Sequence, residues 1–323
     1  MNPTSHVNDR RKVGILLISG AAVSFSLLPL FFRLLPFDDI GVGVQVLSRL
    51  SVGTISLLLW NHYSHSNIRV GSIDIKENAL FFALNGLVLF AAFTTYNLSI
   101  GLGTTPAKAI LLIYLNPIFT AIISKIFLKE ELSLRKALSI LGGVTGIFIA
   151  IGFWNVSGLL ELKFGDLLAL INGVLSSLIV IIGRQASFFR KAPPLITLQF
   201  SLTFALVWAL CFGIFFSLFS HESVSIWKFS MTRNNILLLL YLGLFGTTLP
   251  YILLYSGLRF IEASVTALFL LLEPIGVFVL QALILREPIF WWQILGGSLL
   301  LLSGYYIQLE AKRSAKRLST TTN

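Results

Sequence analysis

Residues 111–130, LLIYLNPIFTAIISKIFLKE, and residues 268–287, LFLLLEPIGVFVLQALILRE, set the architecture of this chain. At a constant offset of 157, Leu111, Leu115, Pro117, Ile118, Leu128 and Glu130 meet Leu268, Leu272, Pro274, Ile275, Leu285 and Glu287, and Lys129 meets Arg286. After a three-residue deletion, Ile140-Leu-Gly-Gly143 meets Ile294-Leu-Gly-Gly297. Matched leucines carry little weight between apolar helices. A shared proline, a shared basic-Glu pair and a shared Ile-Leu-Gly-Gly in the same order carry much more, and they mark an internal repeat.

Composition says what is repeated. Of 323 residues, 56% are hydrophobic and 12% charged, with a mean hydropathy of +0.87. So little polar surface cannot coat a protein of this size in water, and most of the outside must face lipid. Measured against the roughly 20 residues that cross a bilayer, uncharged runs give ten spans, at 13–32, 40–60, 79–99, 105–127, 137–154, 165–183, 195–219, 236–256, 262–285 and 290–309. The first run follows Arg10, Arg11 and Lys12 as a signal peptide would, but its length fits an uncleaved span. The longest connections, 61–78 and 220–235, are too short to hold a domain.

The expectation is an all-α polytopic membrane protein of ten transmembrane helices. An N-terminal tail (1–12) precedes a first repeat (13–154), a second repeat (163–309) and a basic C-terminal tail (310–323). Five spans per copy is an odd number, so the two copies must lie in opposite orientations, the inverted repeat of many secondary transporters.

The net charge of +10 is a topology signal and not a nucleic-acid face, because the Lys and Arg residues cluster between long uncharged stretches. With the N-terminus inside, 17 of them fall on the cytoplasmic side and 5 on the other, which predicts cytoplasmic termini in a plasma-membrane protein. Residues 101–108, GLGTTPAK, have a phosphate-loop look, but Ala107 and Ala109 flank Lys108 where that loop needs Gly and Ser or Thr. The single Cys211 forms no internal disulfide, and the four histidines all fall outside the spans. No cofactor or metal site is expected, and a lipid-modifying intramembrane enzyme lacks its nucleophile, base or metal set. A receptor or channel does not call for paired midspan prolines.

Candidate site residues come from the depth of polar groups. Asn116 and Glu273 each lie about 11 residues into a span, about 16 Å deep at 1.5 Å per residue. Each precedes a proline, and Pro117 and Pro274 free the carbonyls of Ile113 and Leu270 from their helical donors. The alternative is an ordinary proline kink satisfied by neighbouring helices. Three charges interrupt the spans: Arg49, Lys108 and Glu273. Such charges are expensive in lipid and by default face the bundle interior. Glu273 is a candidate for proton coupling or substrate binding, or alternatively a structural carboxylate paired with a basic residue or capping backbone. Arg49 is a candidate carboxylate binder or an ion-pair partner for Glu273. Lys108, a few residues into its span, is a substrate candidate or a side chain snorkelling to the interface. Tyr96, Tyr114, Gln45 and Gln199 are further lining candidates, with Asn97, Tyr251, Tyr255 and Gln281 as lesser ones, each also readable as an interhelical hydrogen-bonding or anchoring group.

The stretches TTPAKAILLIYLNPIFTAIISKIFLKEELS (104–133) and SVTALFLLLEPIGVFVLQALILREP (264–288), each followed by ILGG, resemble the EamA-type drug/metabolite transporter superfamily over about 13–309. The family's first span usually carries a Trp-Gly pair where this chain has Val23-Ser-Phe-Ser26. The resemblance implies a central cavity, alternating access and movement of small metabolites such as amino acids, carboxylates or drugs, with export the commoner mode. It also implies that an Arg at the position of Arg49 and a Glu-Pro at Glu273-Pro274 recur whatever the substrate. Two cationic residues against one anionic in the spans point to a carboxylate-bearing or zwitterionic substrate.

Overall fold

A computed structural model of the chain describes residues 3–34, 40–63, 75–189, 193–219 and 227–321. Arg69, Arg190 and Lys191, used above to orient the chain, lie outside the described residues, as do His65, His221 and much of both long connections. The described residues are helical, with no strand among them. In chain order the helices are α1 (Pro3–Leu34), α2 (Val42–Tyr63), α3 (Ile75–Gly101), α4 (Pro106–Ile113), α5 (Asn116–Phe127), α6 (Leu134–Ile151) and α7 (Phe164–Arg184). These are followed by α8 (Pro194–Phe219), α9 (Arg233–Gly243), α10 (Leu249–Gly257), α11 (Ala263–Leu270), α12 (Leu272–Ile284) and α13 (Trp291–Thr321).

Nine stretches among the described residues are long and apolar enough to cross a membrane, from Asp9–Leu28 at the start to Ala263–Ile284 at the end. Beyond them α13 opens on the uncharged run Trp291–Ile307. The helices do not stop where the uncharged runs do: α1 continues back through the expected N-terminal tail and α13 on through most of the C-terminal one. The expected span to residue 154 ends earlier, because Gly152 adopts a left-handed conformation (φ 71°) and closes α6 at Ile151.

Proline divides three of the spans. The turn Tyr114–Leu115 separates α4 from α5 ahead of Pro117, and Leu271 separates α11 from α12 ahead of Pro274. The third division is a π-helical turn, Leu244–Thr248, between α9 and α10. Pro250 follows it, and its missing N–H leaves the carbonyl of Gly246 without the usual i+4 donor. The two long repeats of sequence also end alike. Lys129 and Arg286 both sit at φ 55°, and the next residue's N–H reaches back to the helix, Glu130 to the Ser124 carbonyl and Glu287 to the Gln281 carbonyl, both at 3.3 Å.

In lipid the hydrophobic effect does not drive helices together, so close approach of small residues matters. The most extensive contact is α6 along α13. A methyl group on Gly146 would lie 2.7 Å from the carbonyl oxygen of Gly296, so the two backbones touch. Elsewhere α3 packs on α7 and α8, α1 on α10, α11 and α12, and α2 on α8 and α9. Leu50, Leu57, Leu89, Leu198, Leu202 and Tyr255 fill the centre, while Leu58, Leu59, Phe212, Ile214 and Phe215 face outward, the inside-out exposure lipid allows.

Candidate functional site

Arg49, on α2, is held in a fixed orientation. Its Nε donates to Thr247 Oγ1 and its Nη2 to the Gly246 carbonyl, each at 3.1 Å. That carbonyl is the one Pro250 leaves free, and Thr247 can accept because its own hydroxyl proton goes to the Leu242 carbonyl (2.9 Å). The guanidinium carbon lies over Phe93, 4.2 Å from the ring centroid, a cation-π contact on a third helix, α3. Phe93 and Phe25 in turn meet Tyr251 edge-on, at 6.0 and 5.5 Å between centroids.

Glu273 opens α12 directly after the break. It is half-buried and, among the described residues, makes no hydrogen bond and no ion pair. Tyr96 on α3, Tyr114 at the α4–α5 turn and Tyr251 on α10 all lie within electrostatic reach of its carboxyl, and Tyr96 and Tyr251 are also within reach of Arg49. Groups on three elements, α3, the α4–α5 turn and α10, therefore lie near Glu273. The expected ion pair between Arg49 and Glu273 is not formed: Arg49 binds the π-turn instead, because a proline-freed carbonyl and a threonine hydroxyl are already aimed at it.

Asn116 opens α5 as Glu273 opens α12. Its carbonyl accepts from Thr120 Oγ1 and Ser177 Oγ, both at 2.9 Å, and its side-chain Oδ1 is buried with no hydrogen-bond partner. Pro117 and Pro274 are both buried behind the breaks.

The remaining candidates sit elsewhere. Lys108, 4% exposed, donates to Asp166 Oδ2 at 2.6 Å, to the Gly158 carbonyl at 2.9 Å and to the Glu161 carbonyl. Thr104 Oγ1 and the Lys163 N–H complete the shell of Asp166, both at 2.8 Å. The ammonium thus joins the N-terminus of α4 to that of α7, neither snorkelling nor facing Glu273. Asp166 stands at the very edge of an expected span, where a charge draws no attention in the sequence. Gln45 donates to the Ile40 carbonyl (2.9 Å) at the start of α2. Gln199 is 7% exposed and packs between α8 and α2, where it donates to Thr203 Oγ1 (3.3 Å). Asn97 bonds the Phe93 carbonyl (2.9 Å), and Tyr255 joins Asn85 and Ser201 in a buried network. Phe93, Gly246, Thr247 and Pro250 form the cradle of Arg49 and carry no charge or repeat signal that marks them in the sequence.

Helices of bilayer length and an apolar outside define a multi-pass membrane protein, here with an ionisable carboxyl among its helices. Its family follows from comparison with known proteins. The EamA-like transporter family matches twice, over residues 12–152 and 163–308, and the chain belongs to that family, consistent with the drug/metabolite transporter superfamily. It is 25% identical over 232 residues to the uncharacterized transporter YyaM of Bacillus subtilis (strain 168), covering 71% of this chain and 73% of that one. It is 24% identical over 279 residues to an uncharacterized transporter of Archaeoglobus fulgidus, covering 84% and 93%. A protein known by its crystal structure superposes with a TM-score of 0.74 at 17% identity, over 94% of this chain and 99% of its own, a likeness of fold.

Proposed function

We propose that this chain is a secondary active transporter, working as an exporter, for a small organic metabolite that bears a carboxylate, of the amino-acid or carboxylic-acid class. Residues 13–154 and 163–309 act as two inverted five-helix halves, ten spans in all, that open alternately to either side of the plasma membrane, with both termini cytoplasmic. Arg49, locked by the π-turn and Phe93, offers its remaining N–H groups to the substrate carboxylate. Glu273 carries the coupled proton, and Tyr96, Tyr114 and Asn116 shape the site around it. Lys108 serves as a joint and is left out of the binding set. No nucleic acid, cofactor or metal takes part.

The observation that supports this reading is a fixed cation and an unpartnered carboxyl that share Tyr96 and Tyr251 as neighbours, the carboxyl lying just past a helix break. Charges in lipid persist where they bind or move something, and a structural role for Glu273 would give it a partner. The test is metabolite-resolved flux in proteoliposomes across amino acids, carboxylates and amines, with and without a proton gradient. Gradient-linked flux of a carboxylate-bearing compound is expected. Flux confined to amines, or absent for all three classes, refutes the substrate assignment.

A further inference from the structure

One end of the bundle carries a contact whose mirror counterpart is not made among the described residues. Glu130, at the end of α5, reaches across to the N-terminus of α11. Its Oε1 accepts the Ala263 N–H at 2.7 Å, and its Oε2 accepts the Ser264 N–H at 3.2 Å and the Ser264 hydroxyl at 2.7 Å. A carboxylate at a helix N-terminus meets both free N–H donors and the positive end of the helix dipole. Here α11 depends on it, since the residue at its own N-cap, Glu262, makes no side-chain cap. Glu262 instead pairs with Lys136 at 2.5 Å, and Lys136 lies 4.0 Å from Glu130, so both strands of the contact are pinned. Ala263 and Ser264 are 0% and 1% exposed, and α5 packs on α11.

The repeat offset maps this contact onto the other end. Glu130 maps to Glu287, α11 to α4, and Ala263 and Ser264 to Pro106 and Ala107. There the matching surface is open: Ala107 is exposed, and α4 makes no packing with α12 comparable to that of α11 on α5. The matching donors are also poorer. Pro106 has no N–H, Ala107 has no hydroxyl, and α4 is already capped by its own Thr105, which accepts from the Lys108 N–H at 3.4 Å. Of three donors at the Glu130 contact, one backbone N–H survives in the mirror position.

We infer that Glu130 is the bolt of a gate on the side where α5 ends, that Glu287 makes the mirror bond to α4 in the opposite conformation, and that the sequence difference between Ala263-Ser264 and Pro106-Ala107 biases the protein toward the state closed at Glu130. This rests on the inverted-repeat, alternating-access reading above. It adds to that reading an equilibrium constant set by six residues outside the substrate site. In the orientation proposed above, the favoured state is closed to the cytoplasm.

The test reads conformation without substrate, so it stands or falls separately from the flux assay. In full-length protein in lipid nanodiscs, with Cys211→Ser as background, spin labels at Arg135→Cys and Arg259→Cys report the Glu130 end. Labels at Leu102→Cys and Ile289→Cys report the other end. All four positions are exposed and outside both contacts. The unmodified gate should give a short, narrow distance at the first pair and a long one at the second. Glu130→Gln should shift population toward long distances at the first pair and short ones at the second by about tenfold or more, the scale of losing charge-assisted hydrogen bonds. Ser264→Ala should do the same more weakly. Ala107→Ser, a surface change that does not threaten folding, should by itself increase the short-distance population at the second pair, and adding Glu287→Gln should cancel that gain. Unchanged distributions in monodisperse Glu130→Gln protein, or in Ala107→Ser, would overturn the proposal.

Discussion

Arg49 donates to the carbonyl of Gly246 across 197 positions of sequence, and the carbonyl is available because the proline four residues on brings no N–H to it. A helix defect on α9–α10 is thereby converted into a rigid anchor for a charge on α2. The guanidinium is oriented by two hydrogen bonds and one ring face before any ligand arrives, which lowers the ordering cost of binding an anion.

That anchor is specific to the guanidinium fork. Arg49→Lys keeps the charge but loses the paired donors and the flat stacking surface, and transport should fall about tenfold, the scale of one hydrogen bond to a charged group. Pro250→Ala restores a competing N–H at the Gly246 carbonyl and should weaken transport in the same direction by a smaller factor. Initial rates in proteoliposomes, normalised to protein that elutes as a single species, check both. An Arg49→Lys variant as active as the parent would place the guanidinium outside the transport path.

The joint between Lys108 and Asp166 should behave as a buried ion pair, because the two side chains are 5% and 6% exposed and the pair's acceptors are all internal. Removing one partner strands the other, so Asp166→Leu or Lys108→Met alone should lower stability by about 3–5 kcal/mol, and the double variant should recover much of the loss. Thermal unfolding in detergent reads this out. Additive losses in the double variant would show the two residues acting independently.

The crossing of α6 and α13 sets a steric limit. Gly146→Leu forces a side chain onto the backbone of Gly296, where no rotamer change gives relief, and should cost about 1–3 kcal/mol or prevent assembly. Gly20→Ala, whose added methyl would meet only Leu253 at 3.5 Å, should be close to neutral. Yield and melting temperature of the two variants, measured side by side, check the contrast.

The sequence made some of this legible and hid the rest for physical reasons. The breaks before Pro117 and Pro274 were readable because a missing N–H acts locally and at a matched offset. The division before Pro250 acts just as locally, but its consequence, the cradle of Arg49, depends on which helix lies alongside. Depth in a span draws attention to Arg49, Asn116 and Glu273, which the structure places beside helix breaks or bound to one. Gln45 and Gln199, further lining candidates with an interhelical alternative, have as neighbours the Ile40 carbonyl and the α2–α8 seam. The repeat marks Glu130, and charge counting puts Lys136 on the cytoplasmic side, but nothing in a linear pattern shows that a helix end 133 positions away lacks a cap of its own. The family resemblance reached the whole chain, and its double match to the EamA-like family bears that reading out.

The central claim is that Glu273 carries a proton while the substrate crosses with Arg49. The most direct measurement is substrate accumulation in proteoliposomes driven by an imposed pH gradient, alongside substrate exchange at equal pH, for the parent and Glu273→Gln. The account predicts that the variant, unable to lose a proton, loses gradient-driven accumulation while exchange continues. Accumulation in Glu273→Gln that still follows the pH gradient as in the parent would contradict it.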